Sequence, residues 1–315
     1  MAWATTSIPA LGGRTAVVTG ANSGLGFQTA RQLAAHSAHV VLATRDRGKT
    51  LAAMQRIRAE TPTASLEMVT MDLAEQASIW RAAEQIRTAH PRIDLLVNNA
   101  GVMAVSQATT VDGFERQLAV NHLGHWTLTA LLLTALLRTS DSRVVTVTST
   151  AHHIGKPIDP ENPHLHGRYT PWRAYCQAKL ANYHFGLGLD RALRKAEAHT
   201  ASLIAHPGVA RTGLQAASLR DSNGGRSQRL IAMLARHTGA SAQAGALPQL
   251  RAATDPAAYG GQFYGPLLVN SGPPVPKPIL RRFDLDDAIS QLWSVSRRET
   301  GISIDIPPRP NAMPY

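Results

Sequence analysis

Thr19-Gly20-Ala21-Asn22-Ser23-Gly24-Leu25-Gly26 closes the β-branched run Thr15–Thr19 and leads into an amphipathic stretch, Leu25–His36. Glycines in a turn between a strand and a helix let the backbone approach a pyrophosphate closely. The helix that follows offers its unpaired N–H groups and the positive end of its dipole. The spacing is GxxxGxG rather than the GxGxxG of the commonest dinucleotide-binding turn. Alone, such a turn is weak evidence. After a strand, at the start of an alternating pattern, it is strong.

That alternation continues outward from the turn. Apolar runs at His39–Ala43, Leu66–Met71, Ile93–Val97, Arg143–Thr148 and Ala201–Ala205 read as further strands, with a short last one near Gln262–Tyr264. Helical patterns at Thr50–Glu60, Ala74–Thr88, Val111–Leu137 and Trp172–Ala196 lie between them, and Leu25, Ala30, Leu33 and Ala34 of the first helix should face the sheet. Apart from Asp94 and the leading Arg143, runs such as Ile93–Val97 and Arg143–Val147 are apolar or β-branched, as strands buried on both faces are. The expected fold is α/β, a doubly wound parallel sheet of about seven strands with helices on both faces, forming one domain over residues 1–315. Two stretches, 151–171 and 212–239, are longer than compact connections need. Both follow strands at the carboxyl edge, where open α/β sheets bind ligands. An extension over 271–315 is Pro-rich at first and then carries a helical pattern at Asp284–Arg298.

Composition narrows the function classes. The 315 residues are 44% hydrophobic, enough for a full core, and carry a formal charge of +11. The arginines are scattered from Arg14 to Arg309 without a reading motif, so nucleic-acid binding is not expected and a phosphate-bearing cofactor is. The single cysteine, Cys176, rules out an internal disulfide framework and fits a cytoplasmic protein; it reads as a packed side chain. No signal peptide or transmembrane segment is expected, since the apolar stretch Leu128–Leu137 is too short to span a bilayer. His122 and His125, His152 and His153, and His164 and His166 form pairs, but no HExxH or Cys cluster accompanies them, and no metal is expected.

Tyr175 and Lys179 stand four apart on a helical pattern, and therefore on one face. A lysine cation beside a phenol favours the phenolate and should draw the Tyr pKa down toward working pH. Asp72 ends the third strand, where its carboxylate can meet an adenine. Asn98-Asn99-Ala100-Gly101 ends the fourth, a polar turn with room for a ribose. Asn121 sits inside a helical pattern although Asn is a poor helix former. Ser149 closes the fifth strand, and Pro207-Gly208 follows the sixth.

In this order and spacing, TGANSGLG, NNAG, Asn121, Ser149, YCQAK and HPGVART resemble the short-chain dehydrogenase/reductase family over nearly the whole chain. RVVTVTSTAHH and AYCQAKLAN look most like its retinol dehydrogenase and protochlorophyllide reductase-like branch. The resemblance implies a Rossmann-type fold and a tetrad of Asn121, Ser149, Tyr175 and Lys179. Tyr175 would give or take the proton and Ser149 would hydrogen-bond the substrate oxygen. Lys179 would hold the nicotinamide ribose, and Asn121 would support a water. Cofactor contacts are implied at Gly20, Asn22, Ser23, Gly24, Leu25, Gly26, Asp72, Leu73, Asn99, Ala100, Gly101, Tyr175, Lys179, Pro207, Gly208, Val209 and Thr212.

NAD-specific members of that family resemble one another in placing an acid at the end of the second strand. Here the stretch is Ala43-Thr44-Arg45-Asp46. Arg45 can pair with a 2′-phosphate through a charge-assisted fork, and Asp46 can cap the next helix. NADP(H) is the expected cofactor, with NAD(H) the alternative. The expected activity is hydride transfer between nicotinamide and an apolar carbonyl or secondary alcohol. A nucleotide-binding regulator of the same fold without turnover is the other reading. Two assemblies are open. The leucine-rich helix ending at Leu137 is covered either by a partner subunit in a homodimer, the favoured reading, or by the chain's own tail in a monomer.

Overall fold

Thr15–Thr19 forms β1, and its Ala16, Val17 and Val18 are fully buried, because helices cover both faces of the sheet it centres. The computed structural model describes residues 2–208, 240–280 and 284–308. β2 (His39–Thr44), β3 (Leu66–Thr70), β4 (Leu95–Asn98), β5 (Arg143–Val147), β6 (Ala201–Ala205), β7 (Phe263–Pro266) and β8 (Pro274–Lys277) complete one sheet in the order β3-β2-β1-β4-β5-β6-β7-β8. All neighbours run parallel except β7 and β8. The order reverses between β1 and β4, which opens a crevice at their carboxyl ends.

The expected count of about seven strands is corrected to eight. β8 holds Pro274 and Pro276, which cannot donate to a ladder and so mask a strand in the sequence. An outer edge tolerates them.

Among the described residues the longer helices are α1 (Gly24–Ala35), α2 (Arg47–Glu60), α3 (Gln76–Ala89), α4 (Gly124–Leu137), α5 (Pro171–Lys195), α6 (Ala242–Thr254) and α7 (Leu285–Thr300). On α1, Leu25, Ala30, Leu33 and Ala34 are buried as the periodicity requires. The helix expected over Val111–Leu137 is shorter. It starts with one turn at Arg116–Leu118, passes through a π-helical turn at Ala119–Leu123 and only then becomes α4. α6 was not legible in the sequence, since Pro248 and a run of small residues weaken its helical pattern. Ser241 caps it by accepting from Ala244 N–H, and it packs on α1.

One apolar core lies on each face of the sheet. Phe27, Leu33, Ile57, Leu250 and Tyr264 belong to one; Ile79, Leu118, Trp126, Phe185 and Leu292 belong to the other.

The tail packs over the start of α4 and over α5. Trp293 of α7 meets Trp126 edge to face with ring centroids 5.0 Å apart, and the Trp126 indole N–H donates to the Ile302 carbonyl at 2.9 Å. His122 Nε2 and Ser296 Oγ are 2.7 Å apart. A Cβ on Gly188 of α5 would come within 2.4 Å of the Trp293 ring, so only glycine lets the two helices approach this closely. Around His122, Trp126 and Gly188, part of the face that the sequence reading offered to a partner subunit or to the tail is covered by the chain's own tail. No helix among the described residues is long and apolar enough to cross a membrane.

Candidate active site

The glycine turn has the tight geometry its composition suggested. Gly20 takes a φ of +65°, in the left-handed region. A Cβ on Gly26 would lie 2.4 Å from the Gly20 carbonyl and 2.5 Å from Asn99 Nδ2, so α1 can begin against β1 and β4 only because that residue is glycine. Ser23 is the residue before α1, and its side chain makes no cap. The first N–H groups of α1 consequently face the crevice at the carboxyl ends of β1 and β4 without a side chain across them. Asn22, Ser23, Gly24 and Leu25 form this turn, and the cradle fits a pyrophosphate.

The second turn is bound to the first. The Asn99 and Ala100 N–H groups both donate to Thr19 Oγ1 at 2.9 Å, and Asn99 Nδ2 donates to the Thr19 carbonyl at 2.8 Å. His125 continues the chain of contacts, with Nδ1 2.9 Å from the Asn121 carbonyl and Nε2 2.9 Å from Thr19 Oγ1. Burial drives the His125 pKa down to about 4, so the ring is neutral. A nitrogen facing a carbonyl must carry the proton; hence Nδ1–H donates to Asn121 and Nε2 accepts from Thr19. Gln249 of α6 donates to Asn99 Oδ1 and to Thr29 Oγ1. Thr19, His125 and Gln249 were not singled out for this role in the sequence. Their partners lie far along the chain, and only the fold brings them together.

The four residues of the implied tetrad converge on this corner. Asn121 lies in the π-helical turn, which accounts for a poor helix former at that position. Its Oδ1 accepts from Val102 N–H at 2.8 Å and its Nδ2 donates to the Val102 carbonyl at 3.0 Å. A Cβ on Gly101 would sit 2.7 Å from Asn121 Oδ1 and 3.4 Å from Lys179 Nζ, so Gly101 is where these groups meet. Lys179 Nζ donates to the Val147 carbonyl at 3.2 Å and lies 6.0 Å from the centre of the Tyr175 ring. Ser149 ends the strand side of the corner and hydrogen-bonds Tyr175.

Electrostatics depart from the sequence expectation. Burial pushes the Tyr175 pKa up to about 12, and the Ser149 hydrogen bond offsets only part of that. Burial also pulls Lys179 down to about 8. Both groups have lost water, which disfavours the charged form of each. Cys176, next to Tyr175, is buried and its thiol is pushed up to about 11, as expected of a packing residue.

The nucleotide end is more exposed. Arg45 follows β2 with its side chain 76% exposed, and its Nη1 lies 3.7 Å from Asp72 Oδ2. Asp72 Oδ1 accepts from Ala74 N–H, which fixes the turn carrying the buried Leu73. Asp46 caps α2, accepting from Lys49 N–H and pairing with Lys49 Nζ at 2.9 Å. Pro207 and Gly208 follow β6, and Gly208 has a φ of +68°. Val209, Thr212 and the expected loop 212–239 lie outside the described residues.

The other long connection, 151–171, is held in place. Tyr169 donates to the Val105 carbonyl, Gln177 Nε2 to that of Pro163 and Arg298 to that of Pro160. Trp172 rests against Tyr175 with ring centroids 5.5 Å apart, and Met103 packs with Ala151, Tyr175 and Cys176. The Tyr175 ring is thus flanked by apolar side chains, with Ser149 at its hydroxyl. A separate cleft of about 410 Å³, lined by Asp190, Arg194, Gln262 and Lys277, lies at the far end of α5 and contains none of these residues.

A family model described as short chain dehydrogenase matches residues 14–223. The chain belongs to that family. Within it, the chain is similar to human retinol dehydrogenase 13, 44% identical over 203 residues that make up 64% of this chain and 60% of the relative. It is also 44% identical to mouse polyprenol dehydrogenase over 213 residues, 66% of this chain and 63% of that one. The chain thus spans a little over three-fifths of these relatives. A solved structure of an uncharacterized protein from Mycobacterium paratuberculosis matches 97% of this chain and 100% of its own, with 38% identity and a TM-score of 0.78. A chain from Beutenbergia cavernae, described as an NAD(P) dependent gluconate 5-dehydrogenase with bound NADP, matches 81% of this chain and 96% of its own, with 29% identity and a TM-score of 0.62. These likenesses put the chain in the retinol dehydrogenase-like branch of the short chain dehydrogenases.

Proposed function

We propose that this family member is an NADP(H)-dependent oxidoreductase that interconverts an apolar carbonyl compound and its alcohol, with Tyr175 handling the proton. The observation that carries the reading is the convergence of Tyr175, Ser149 and Lys179 at the mouth of the glycine-lined crevice. A bound nicotinamide would supply or accept the hydride. The protein's own work is then proton transfer and orientation. A phenol kept protonated by burial is ready to give its proton to a carbonyl oxygen. Ser149 hydrogen-bonds that oxygen, and the Lys179 ammonium offsets the charge of the phenolate left behind. Asn121 holds Val102 and, through His125, the first turn, so the crevice keeps one shape.

Arg45 supports the choice of NADP(H). It is exposed and extended at the end of β2, where a 2′-phosphate would lie, while Asp46 is committed to Lys49 and the cap of α2. The apolar neighbours of Tyr175, Trp172 and Met103, support an apolar substrate. The chain is read as one domain, and the tail packed over α4 and α5 favours a monomer.

The test is a panel of aldehydes, ketones and alcohols assayed with NADPH and NADP⁺, followed by Tyr175→Phe on the best substrate. Removing the proton but keeping the ring should lower kcat by at least about 10² with NADPH affinity retained. A Phe variant with undiminished turnover would remove Tyr175 from the mechanism. NADPH binding without any turnover across the panel would favour the regulator.

A further inference from the structure

We propose that His39, Glu67 and His90 form a zinc-binding site at the amino edge of the sheet, at the end of the nucleotide half remote from Tyr175. The three come from different elements. His39 opens β2, Glu67 is the second residue of β3, and His90 follows α3 as its C-cap. Parallel pairing of β2 with β3 sets Val41 beside Glu67, which brings the start of β2 alongside the carboxylate.

One ligand atom from each residue, two imidazole nitrogens and a carboxylate oxygen, lies within 4.8 Å of the others. Glu67 Oε2 stands 2.7 Å from His90 Nε2 and 3.5 Å from His39 Nε2. The two rings are 4.9 Å apart, centre to centre. Zinc bonds of about 2.0–2.2 Å in a tetrahedron separate ligand atoms by roughly 3.2–3.5 Å, so small shifts would close the three around one ion. Two histidines and a carboxylate are a set that zinc accepts, with a water in the fourth position.

Two further observations favour a cation here over a simple hydrogen-bonded cluster. His39 Nδ1 lies 2.7 Å from Ser65 Oγ, the outer contact that fixes the orientation of a ligating imidazole. His39 Nε2 is shielded from water, has no hydrogen-bond partner and stands 3.5 Å from Glu67 Oε2, the same carboxylate oxygen that His90 Nε2 meets at 2.7 Å. In the tautomer that donates from Nδ1 to Ser65, His39 presents its Nε2 lone pair to an ion held by that carboxylate, and His90 does the same in its own Nδ1–H tautomer. The side chains of His39, Glu67 and His90 are 29%, 27% and 16% exposed, so an ion can enter from solution. Zinc there would tie β2, β3 and the end of α3 together.

The experiment uses the full chain, without an affinity tag, stripped with EDTA and titrated with Co²⁺ and then Zn²⁺. We expect one Co²⁺ to bind with visible absorption of a four-coordinate site, Zn²⁺ to displace it, and Zn²⁺ to raise Tm by at least about 2 °C. His90→Gln and Glu67→Gln should each weaken binding by at least about tenfold. No saturable binding below about 1 mM, or equal binding by wild type and both variants, would overturn the site. Should the variants fold poorly, X-ray absorption of zinc-loaded wild type decides it, since fewer than two imidazole ligands is incompatible with the proposal.

Discussion

The two halves of the sheet solve different problems. On the nucleotide side, α2 buries only Thr50, Ala53, Met54 and Ile57 of its fourteen residues, and its polar contacts are local caps and exposed ion pairs such as Lys49–Asp46. On the side of Tyr175, α5 is buried over most of its length between the sheet, the turns at 116–123 and the tail. Titratable groups there have been stripped of water. Tyr175 is driven up to about 12, Lys179 down to about 8, and His122, His125, His184 and His206 down to between about 3 and 4. A phosphate can be held at the surface by backbone N–H groups. The Tyr175 phenol sits instead in a dry corner, and the same burial leaves that side carrying an electrostatic load.

Acid should expose that load most strongly. The four buried histidines stay neutral in the folded chain but take up protons near their ordinary pKa of 6.5 once unfolded. The unfolded state therefore binds more protons between about pH 4 and 6.5, and stability is lost as pH falls through that window. One buried group can cost up to about 1.4 kcal/mol per pH unit. Thermal melts from pH 7.5 to 4.5 should show Tm falling steeply below about 6.5; a flat profile would mean that these rings gain partners or water.

Lys179→Met sharpens the comparison at one residue. Turnover should drop by at least about 10², while the cofactor-free protein should become more stable at neutral pH, because a buried ammonium is gone. The sign follows from linkage. Between about pH 8 and 10.5 the unfolded lysine keeps a proton that the folded one has lost, so wild-type stability rises with pH there and the advantage of methionine shrinks. Equal melting temperatures for the two proteins at pH 7 would contradict the burial cost.

Trp293→Ala addresses the covering tail. Trp293 is partly buried against Trp126 and Phe185, and its loss should cost about 2 kcal/mol in a denaturant titration. Removing everything beyond Ser271 should uncover Trp126, Phe185 and Leu292's binding surface, and sedimentation velocity should then show association, where the intact chain runs near 33.8 kDa. A dimer of the intact chain would restore the partner-subunit reading.

The smallest effect belongs to the exposed side. Arg45→Ala should weaken NADPH about tenfold and leave NADH nearly unchanged, at the lower end for a charge-assisted contact because the side chain is so exposed. Equal losses for both cofactors would move the choice to another residue.

The sequence alone determined the strand-turn-helix at Thr15–His36 and the parallel alternation, which rest on local periodicity, while the grouping of Asn121, Ser149, Tyr175 and Lys179 came from the resemblance of their motifs to the short-chain dehydrogenase/reductase family. The tertiary structure decided the rest. β8 was hidden by prolines that only an edge tolerates, and α6 by small residues that only a tight contact with α1 explains. The Thr19–His125–Asn121 chain joins residues about a hundred positions apart. Above all, the sequence assigned Lys179 the task of lowering the Tyr175 pKa, whereas burial sets both values, because desolvation depends on what surrounds a group in space and leaves no mark in residue order.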